Sequence, residues 1–476
     1  MPRTAAIALP KRISKPMRFF NTMTRCLEEF REIEKGAIGL YTCGPTVYDY
    51  PHIGNYRSYV FEDLAKRFFI FSGYRVRHVM NITDIDDKTI RKANQMGLPL
   101  AEVTQKYIDA FHDDIRALNI LPADVYPRAT EHIPGMLNLI TALLGRGFAY
   151  EKDGSVYFSI ERFKDYGRLA NIDRNNLQSG AAADADEYDK EAVQDFVLWK
   201  GRKPGEPFWP APFGEGRPGW HIECSAMSMK YLGPHFDIHM GGVDNIFPHH
   251  ENEIAQSECA NGQTFVNYWL HCQHLVVDNK KMSKSLGNFY TLGDLLQRGH
   301  DPMAVRYLLI SSHYRKLLNF TFANLEMAGQ ALNRIKNFVF SLKNVRNPGK
   351  ATPEISALLA ASQSAFAENM ADDFNVSGAL GVLFDSIHEI NQKMNDLRQN
   401  DAANILAYIE RLNTVLGVLD QGDSAPLAAA IEGKIAQREK ARKNKDFALA
   451  DAIRAELKKQ GIVLRDTPDG VKWKKE

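Results

Sequence analysis

What this 476-residue chain has little of narrows it first. It holds five cysteines, an odd number strewn from Cys26 to Cys272, which is no disulfide framework for a chain this long. That usage suits a reducing cytoplasm and leaves the thiols available to a metal. No apolar run approaches the roughly 18 residues that cross a bilayer, so no membrane partner is expected. The first 18 residues contain no acid, only Arg3, Lys11, Arg12, Lys15 and Arg18 among the charged types, and the apolar stretch 5–10 is too short for a secretory signal. Residues 1–17 therefore read as a disordered basic tail. No internal repeat is visible, which excludes solenoids and propellers.

What is present is average in bulk and uneven in detail. An apolar fraction of 44% and a charged fraction of 25% are those of a globular protein, and the length asks for several domains. The net charge of +1 hides an asymmetry: residues 431–476 hold 13 lysines and arginines against 8 acids, +5, which leaves −4 on the rest. A basic end on a neutral body suits contact with a polyanion, and equally a solvated helix surface.

The first half alternates strand and helix patterns. Residues 36–43 form a β-like run ending at Gly44-Pro45. Phe61, Leu64, Phe68 and Phe71 then recur at helical spacing, Gly73 stops that helix, and Val76, His78, Met80 and Ile82 alternate as in a strand. Strand–helix–strand of this length is a parallel crossover, hence an α/β, doubly wound, Rossmann-type sheet over 18–300. Residues 125–215, with the acidic, alanine-rich stretch 180–191, read as an insertion, and alternation resumes at 235–240 and 274–277. Beyond 300 the pattern is helical: a connecting region over 301–345, a linker at 344–353, an all-α bundle over 354–424, and a small mixed α/β unit over 425–476. The last unit reads as one basic helix, 431–460, followed by a hairpin around Pro468-Asp469-Gly470.

Two stretches suit phosphate. His52-Ile53-Gly54-Asn55 opens a helix, whose free amides and dipole favour anions, and Gly54 lets a ligand approach the backbone. Taken alone it also describes an ordinary capped helix. Lys280–Asn288 (KKMSKSLGN) puts three lysines and two serines on a loop that the following Leu-Gly-Asn keeps mobile, able to close on a triphosphate. A third cluster is 249–253 (HHENE), where a His–Glu pair at i, i+4 shares a helix face. With Cys43 and Cys224 it offers two thiolates, an imidazole and a carboxylate, a sound zinc set. Spacing leaves His249 and His250 both open as the imidazole.

HIGN followed by KMSKS resembles the two signatures of class I aminoacyl-tRNA synthetases, in the right order and separation. The segments TCGPTVYD, NITDIDDK, RPGWHIECSAM, FPHHENEIAQ and KMSKSLGNF look like the cysteinyl-tRNA synthetase family, and the likeness runs from Phe19 to Trp473. One departure stands in the first motif, where Asn55 replaces a usual histidine while keeping a donor amide. The resemblance implies ATP-dependent ligation of L-cysteine to tRNA(Cys) through a cysteinyl-adenylate, with release of AMP and pyrophosphate, by a monomer. It implies His52, Gly54, Asn55 and Lys284 at ATP, with His52, Asn55, Lys281 and Lys284 catalytic and Mg2+ accompanying the nucleotide. It selects Cys43, Cys224, His249 and Glu253 for one Zn2+, and it places Gly44, Thr46, Thr83, Trp220 and Asp244 around the amino acid. The basic C-terminal unit would read the anticodon. Two rivals share parts of this pattern, an enzyme joining cysteine to an amino sugar and a non-catalytic RNA-binding paralogue. The long helical and basic region argues against the first, and the intact lysine loop and full donor set against the second.

Overall fold

The computed structural model describes residues 16–172, 177–181, 193–419, 424–459, 462–467 and 470–475. The expected tail therefore lies outside the described residues up to residue 15, as do most of 180–191 and the turn residues Pro468 and Asp469. Packing begins at Met17, which is buried and whose carbonyl accepts the Phe30 N–H at 2.8 Å.

Four parallel strands form the central sheet, in the order Val266–Cys272, Phe236–Gly242, Ala37–Thr42, Arg75–Met80. Leu40 stands opposite both Ile238 and His78, which fixes the register. Phe236–Gly242 is buried along its whole length, as an inner strand covered on both faces must be. Chain order reverses between Ala37–Thr42 and Phe236–Gly242. Such a switch point leaves a crevice beyond the carboxyl ends of the strands, and here those ends are Cys43-Gly44, Gly242–Asp244, Asn81 and Gln273.

The helix Ile53–Phe71 crosses from the first strand to its neighbour. His52 caps it: its Nδ1 accepts the Asn55 N–H (3.2 Å), and Asn55 Oδ1 accepts the His52 N–H (3.0 Å). The helix is buried on nearly all sides because a second layer covers it. Asp63 receives Arg67 at 2.8 Å and Arg306 at 2.5 Å, and Arg306 also donates to the carbonyls of Leu416 and Leu118. One buried carboxylate thus joins the sheet domain to the helical bundle, and losing a partner of such a pair costs about 3–5 kcal/mol.

The insertion carries a mostly antiparallel sheet, Ala149–Lys152, Ser155–Phe158, Val193–Gly201 and Gly216–Pro218, with Leu177–Ala181 alongside. Its root stays on the main sheet: Val125 and Arg128 bridge to Val79 and Ile82. After the sheet come Phe322–Lys343, Pro353–Ala371, Val376–Gln392 and Gln399–Leu416. The linker ends one residue earlier than the sequence suggests, because Pro353 takes the first helical position, where its missing N–H costs nothing. Phe374, just before the third of these helices, stacks on Phe19 at 4.5 Å and pulls the N-terminal strand onto the bundle. The single basic helix expected over 431–460 is instead two, Ser424–Lys443 and Phe447–Lys459. Lys445 takes positive φ at the break and Asp446 Oδ1 accepts the Leu449 N–H, so a turn and a new cap interrupt the pattern. The closing hairpin pairs Ile462–Thr467 with Gly470–Lys475.

Candidate functional site

One cavity of about 680 Å³ opens at the switch point. Its walls include Cys43, Gly44, Thr46, His52, Gly54 and Asn55 from the first strand end and helix start. Trp220 and Asp244 come from the second half, and Lys281 and Lys284 from the loop. The two phosphate motifs touch. The Ile53 N–H donates to the Tyr290 carbonyl (2.9 Å), His52 meets the Phe289 ring edge-on at 5.2 Å, and a Cβ on Gly54 would stand 2.9 Å from the His52 ring and 3.3 Å from the Met282 methyl. Glycine at 54 is what lets the loop close this far.

The loop itself is a tight hairpin. Asp278 and Asn279 both adopt positive φ, which turns Leu275–Val277 back into Lys280–Lys281. Asn288, part of the run read from sequence as loosening the loop, instead braces it: Oδ1 accepts the Ser283 N–H and Nδ2 donates to the Lys281 carbonyl. Lys284 reaches back over the cavity, 2.6 Å from Asp49 and 5.0 Å above the Phe289 ring. The hydrogen bond that Lys284 donates to Asp49 raises the lysine's pKa, while Asp49 is held below the usual carboxylate range by Lys284 against the opposing effect of burial.

At the opposite end, Cys43, Cys224, His249 and Glu253 bring one donor atom each within 4.8 Å of one another. Cys43 follows the first strand, Cys224 lies in Trp220–Leu232, and His249 and Glu253 sit either side of the start of Glu251–Asn261, with Nε2 to Oε1 at 3.1 Å. A second set, Cys43, His239, His250 and Glu253, overlaps it. The surroundings distinguish the two. His239 Nε2 lies 3.0 Å from Glu253 Oε2, the oxygen turned away, whereas Oε1 faces the His249 imidazole, close to it but without the geometry of a formed hydrogen bond. His249 Nδ1 is backed by His221 at 3.0 Å, leaving Nε2 forward. A ligating carboxylate and imidazole each supported on the far side is the arrangement metal sites use. Two thiols, an imidazole and an orphaned carboxylate oxygen fit a divalent ion that accepts sulfur and nitrogen.

The charges are strongly coupled. Burial pushes the Cys43 thiol well up, reinforced by Cys224. Burial pushes Cys224 the same way, but Cys43 and His249 outweigh it and bring that thiol down to about 6. His249 overcomes burial through Cys224 and Glu253 and rises to about 10. Both shifts favour a Cys224 thiolate beside a protonated His249 in the metal-free chain.

The expected amino-acid contacts divide. Gly44 is required: a Cβ there would lie 1.8 Å from the Asn81 carbonyl oxygen, and its N–H donates to Asn81 Oδ1. Asp244 lays Oδ1 over the Gly242 backbone, 2.3 Å from where a Cβ there would stand. Trp220 packs against His249 with ring centres 4.2 Å apart and planes tilted by 30°, so it bounds both cavity and donor cluster. Thr83 is 1% exposed and does not line the cavity; its hydroxyl donates to buried Glu223. Sequence reasoning gave no role to His239, His221, Asp49 or Phe289. A histidine in a buried strand carries no periodic signal of its own; only the density of HHENE nearby hinted at a cluster.

Residues 29–330 match the family described as the tRNA synthetases class I (C) catalytic domain, 365–420 the DALR domain, and 425–473 the cysteinyl-tRNA ligase anticodon binding domain. A cysteine–tRNA ligase of Brachyspira hyodysenteriae is 48% identical across 97% of this chain and all of its own length. One from Chlamydia pneumoniae is 50% identical across 96% and 98%. Among solved structures, Mycobacterium tuberculosis methionyl-tRNA synthetase with methionyl-adenylate shares the fold at TM-score 0.59 and 18% identity, covering 80% of this chain and 90% of that one. A LeuRS–tRNA complex from Agrobacterium radiobacter does so at 0.60 and 11%, covering 82% and 85%.

Proposed function

This chain belongs to the cysteine–tRNA ligase family of class I synthetases, and on that premise we propose how its residues join L-cysteine to tRNA at the expense of ATP. The observation that carries the reading is one cavity walled by both phosphate motifs and by Cys43, through which it meets a four-donor metal cluster.

The cysteine carboxylate attacks the α-phosphate of ATP, pyrophosphate leaves, and a ribose hydroxyl of the terminal adenosine of tRNA(Cys) then takes the cysteinyl group and frees AMP. A carboxylate is a competent nucleophile at neutral pH, so the first step needs positioning and charge stabilisation more than a base. His52 and Asn55 hold the phosphates at the start of Ile53–Phe71. The capping bond supports this role, because it engages Asn55 Oδ1 and not the donor end of the amide. Gly54 leaves room, Lys281 and Lys284 stabilise the departing pyrophosphate, and Mg2+ travels with ATP. Lys284 exchanges Asp49 for phosphate as the nucleotide enters.

Cys43, Cys224, His249 and Glu253 hold one Zn2+, which when bound supplies a ligand position for the substrate thiolate that an alcohol fills poorly. Gly44 and Thr46 shape the adjoining wall, Asp244 takes the ammonium, and Trp220 closes the side. Thr83 acts from behind through Glu223. The catalytic unit spans 18–300 with its insertion at 125–215, the connecting region 301–345, the bundle 354–424, and 425–476 reads the anticodon. The chain works as a cytoplasmic monomer. ATP–pyrophosphate exchange with and without cysteine tests the reading: exchange should appear only with cysteine, and its absence in both arms would refute it. Truncation after Gly422 should leave that exchange intact and weaken tRNA charging.

A further inference from the structure

The outer rim of the cavity carries a feature that the chemistry above does not use. Tyr48 and Tyr50 are 37% and 45% exposed, and both border the mouth. Lysines stand over these rings and their neighbour: Lys88 Nζ is 6.0 Å from the Tyr48 ring centre, and Lys106 Nζ is 5.9 Å from Tyr50 and 5.4 Å from Tyr107. Lys92 Nζ is 5.8 Å from Tyr107. Tyr50 rests edge-on against buried Tyr107 at 5.3 Å, which fixes its orientation. Among the described residues neither Lys92 nor Lys106 forms an ion pair, and Asp49, the acid of this rim, is taken by Lys284. The three lysines come from Asp87–Met96 and Leu100–Ala117, not from the loop or from the helix start that faces the phosphates.

Exposed rings interleaved with lysine ammonium groups suit one kind of ligand well. A single-stranded nucleic acid can lay its bases on the ring faces, at about 1–3 kcal/mol per base, and its phosphates on the ammonium groups. A free polyphosphate would use the charges and leave the rings idle. We propose that Tyr48 and Tyr50, with Lys88, Lys92 and Lys106, form the platform on which the unpaired 3′ end of the tRNA lies as it enters the cavity. The proposal rests on the ligase reading, since only that reaction requires a 3′-terminal ribose at this mouth. The lysines over the rings are flexible, so a base can displace an ammonium sideways onto the adjoining phosphate.

The test uses the full chain, the double variant Lys92→Ala/Lys106→Ala, and Tyr50→Ala beside Tyr50→Phe. Cysteine-dependent pyrophosphate exchange is measured first; its absence in the parent chain would sink the ligase reading itself, and the platform with it. With exchange present, the double variant should keep it within about twofold while its KM for tRNA rises about 5–10-fold and the salt dependence of that KM flattens by about 1.4, two phosphates at about 0.7 each. Tyr50→Ala should slow single-turnover transfer several-fold from preformed adenylate, and Tyr50→Phe should restore it, because stacking needs the ring and not the hydroxyl. The deciding arm is binding to tRNA trimmed of its last four nucleotides, for which parent and double variant should have equal Kd. A defect that persists on trimmed tRNA would move these lysines elsewhere on the RNA. A parallel fall in exchange would assign them to ATP. Either result overturns the platform.

Discussion

Behind the inner wall of the cavity, Cys224, His249 and Glu253 are at most 2% exposed, with His249 backed by His221 and Glu253 by His239. At the outer end the Lys284 side chain is 65% exposed and is held by Asp49 and the Phe289 ring. In the proposed reaction the two ends need different things. A group that must tell one atom of a substrate from another cannot move, so it is packed and backed on every side. A group that must follow a leaving phosphate has to travel, so it sits on a hairpin whose contacts are few and exposed. The carboxylates show the contrast: Glu253 is buried with one oxygen committed to His239, whereas Asp49 offers Lys284 a surface ion pair worth under about 1 kcal/mol.

The comparison can be broken from its strong end first. Cys224→Ser or His249→Ala should lose bound metal and reduce cysteine activation by about 10³ or more, several kcal/mol of stabilisation. Elemental analysis showing one zinc per chain in both variants would reject the donor assignment. Lys284→Ala should cut the adenylation rate by about 10²–10³ and change ATP affinity much less, as expected for a donor to developing charge; pre-steady-state adenylate formation reads both. His239→Ala, which removes the support behind Glu253, should weaken metal affinity by about 10–100-fold, measured by competition with a chromophoric chelator. Asp49→Asn should be the mildest, moving adenylation less than about fivefold and melting hardly at all. An effect of Asp49→Asn as large as that of His239→Ala would mean the loop is fixed as firmly as the metal corner.

Acidity should separate the ends too. In the metal-free chain His249 keeps its proton up to about 10 and the raised Cys43 thiol keeps its own, so uptake between roughly pH 6 and 9 releases about two protons. Below about 6 Cys224 is protonated as well and a third must leave. Metal affinity should therefore rise with pH throughout and fall most steeply below 6. Calorimetry in buffers of different ionisation enthalpy counts the protons.

The sequence made the scaffold legible where periodicity and punctuation agree: the strand running into Gly44-Pro45, the helix from Ile53, and the crossover to Arg75–Met80. The break at Asn444–Asp446 was not legible, since basic helix-forming residues run on either side and the turn shows itself in the positive φ of Lys445 and the Asp446 cap. The donor residues were visible as residue types, but their convergence depends on one strand end and two helices meeting, which no local pattern encodes. His239 and His221 stayed hidden because a fully buried strand and a buried helix face offer no alternation to interrupt. Asn288 was misread because Asn after Gly looks like loop chemistry, and only its contacts reveal a brace.

The central claim is that the inner corner recognises sulfur, and the ratio of kcat/KM for L-cysteine over L-serine in pyrophosphate exchange by the metal-loaded chain tests it most directly. A pocket that reads only shape separates such near-isosteres by roughly a hundredfold, whereas a site that must pair a specific substrate group reaches about 10⁴–10⁵. The account predicts a ratio of at least about 10⁴, with no cleavage of seryl-adenylate or seryl-tRNA contributing. A ratio near a hundred would contradict it.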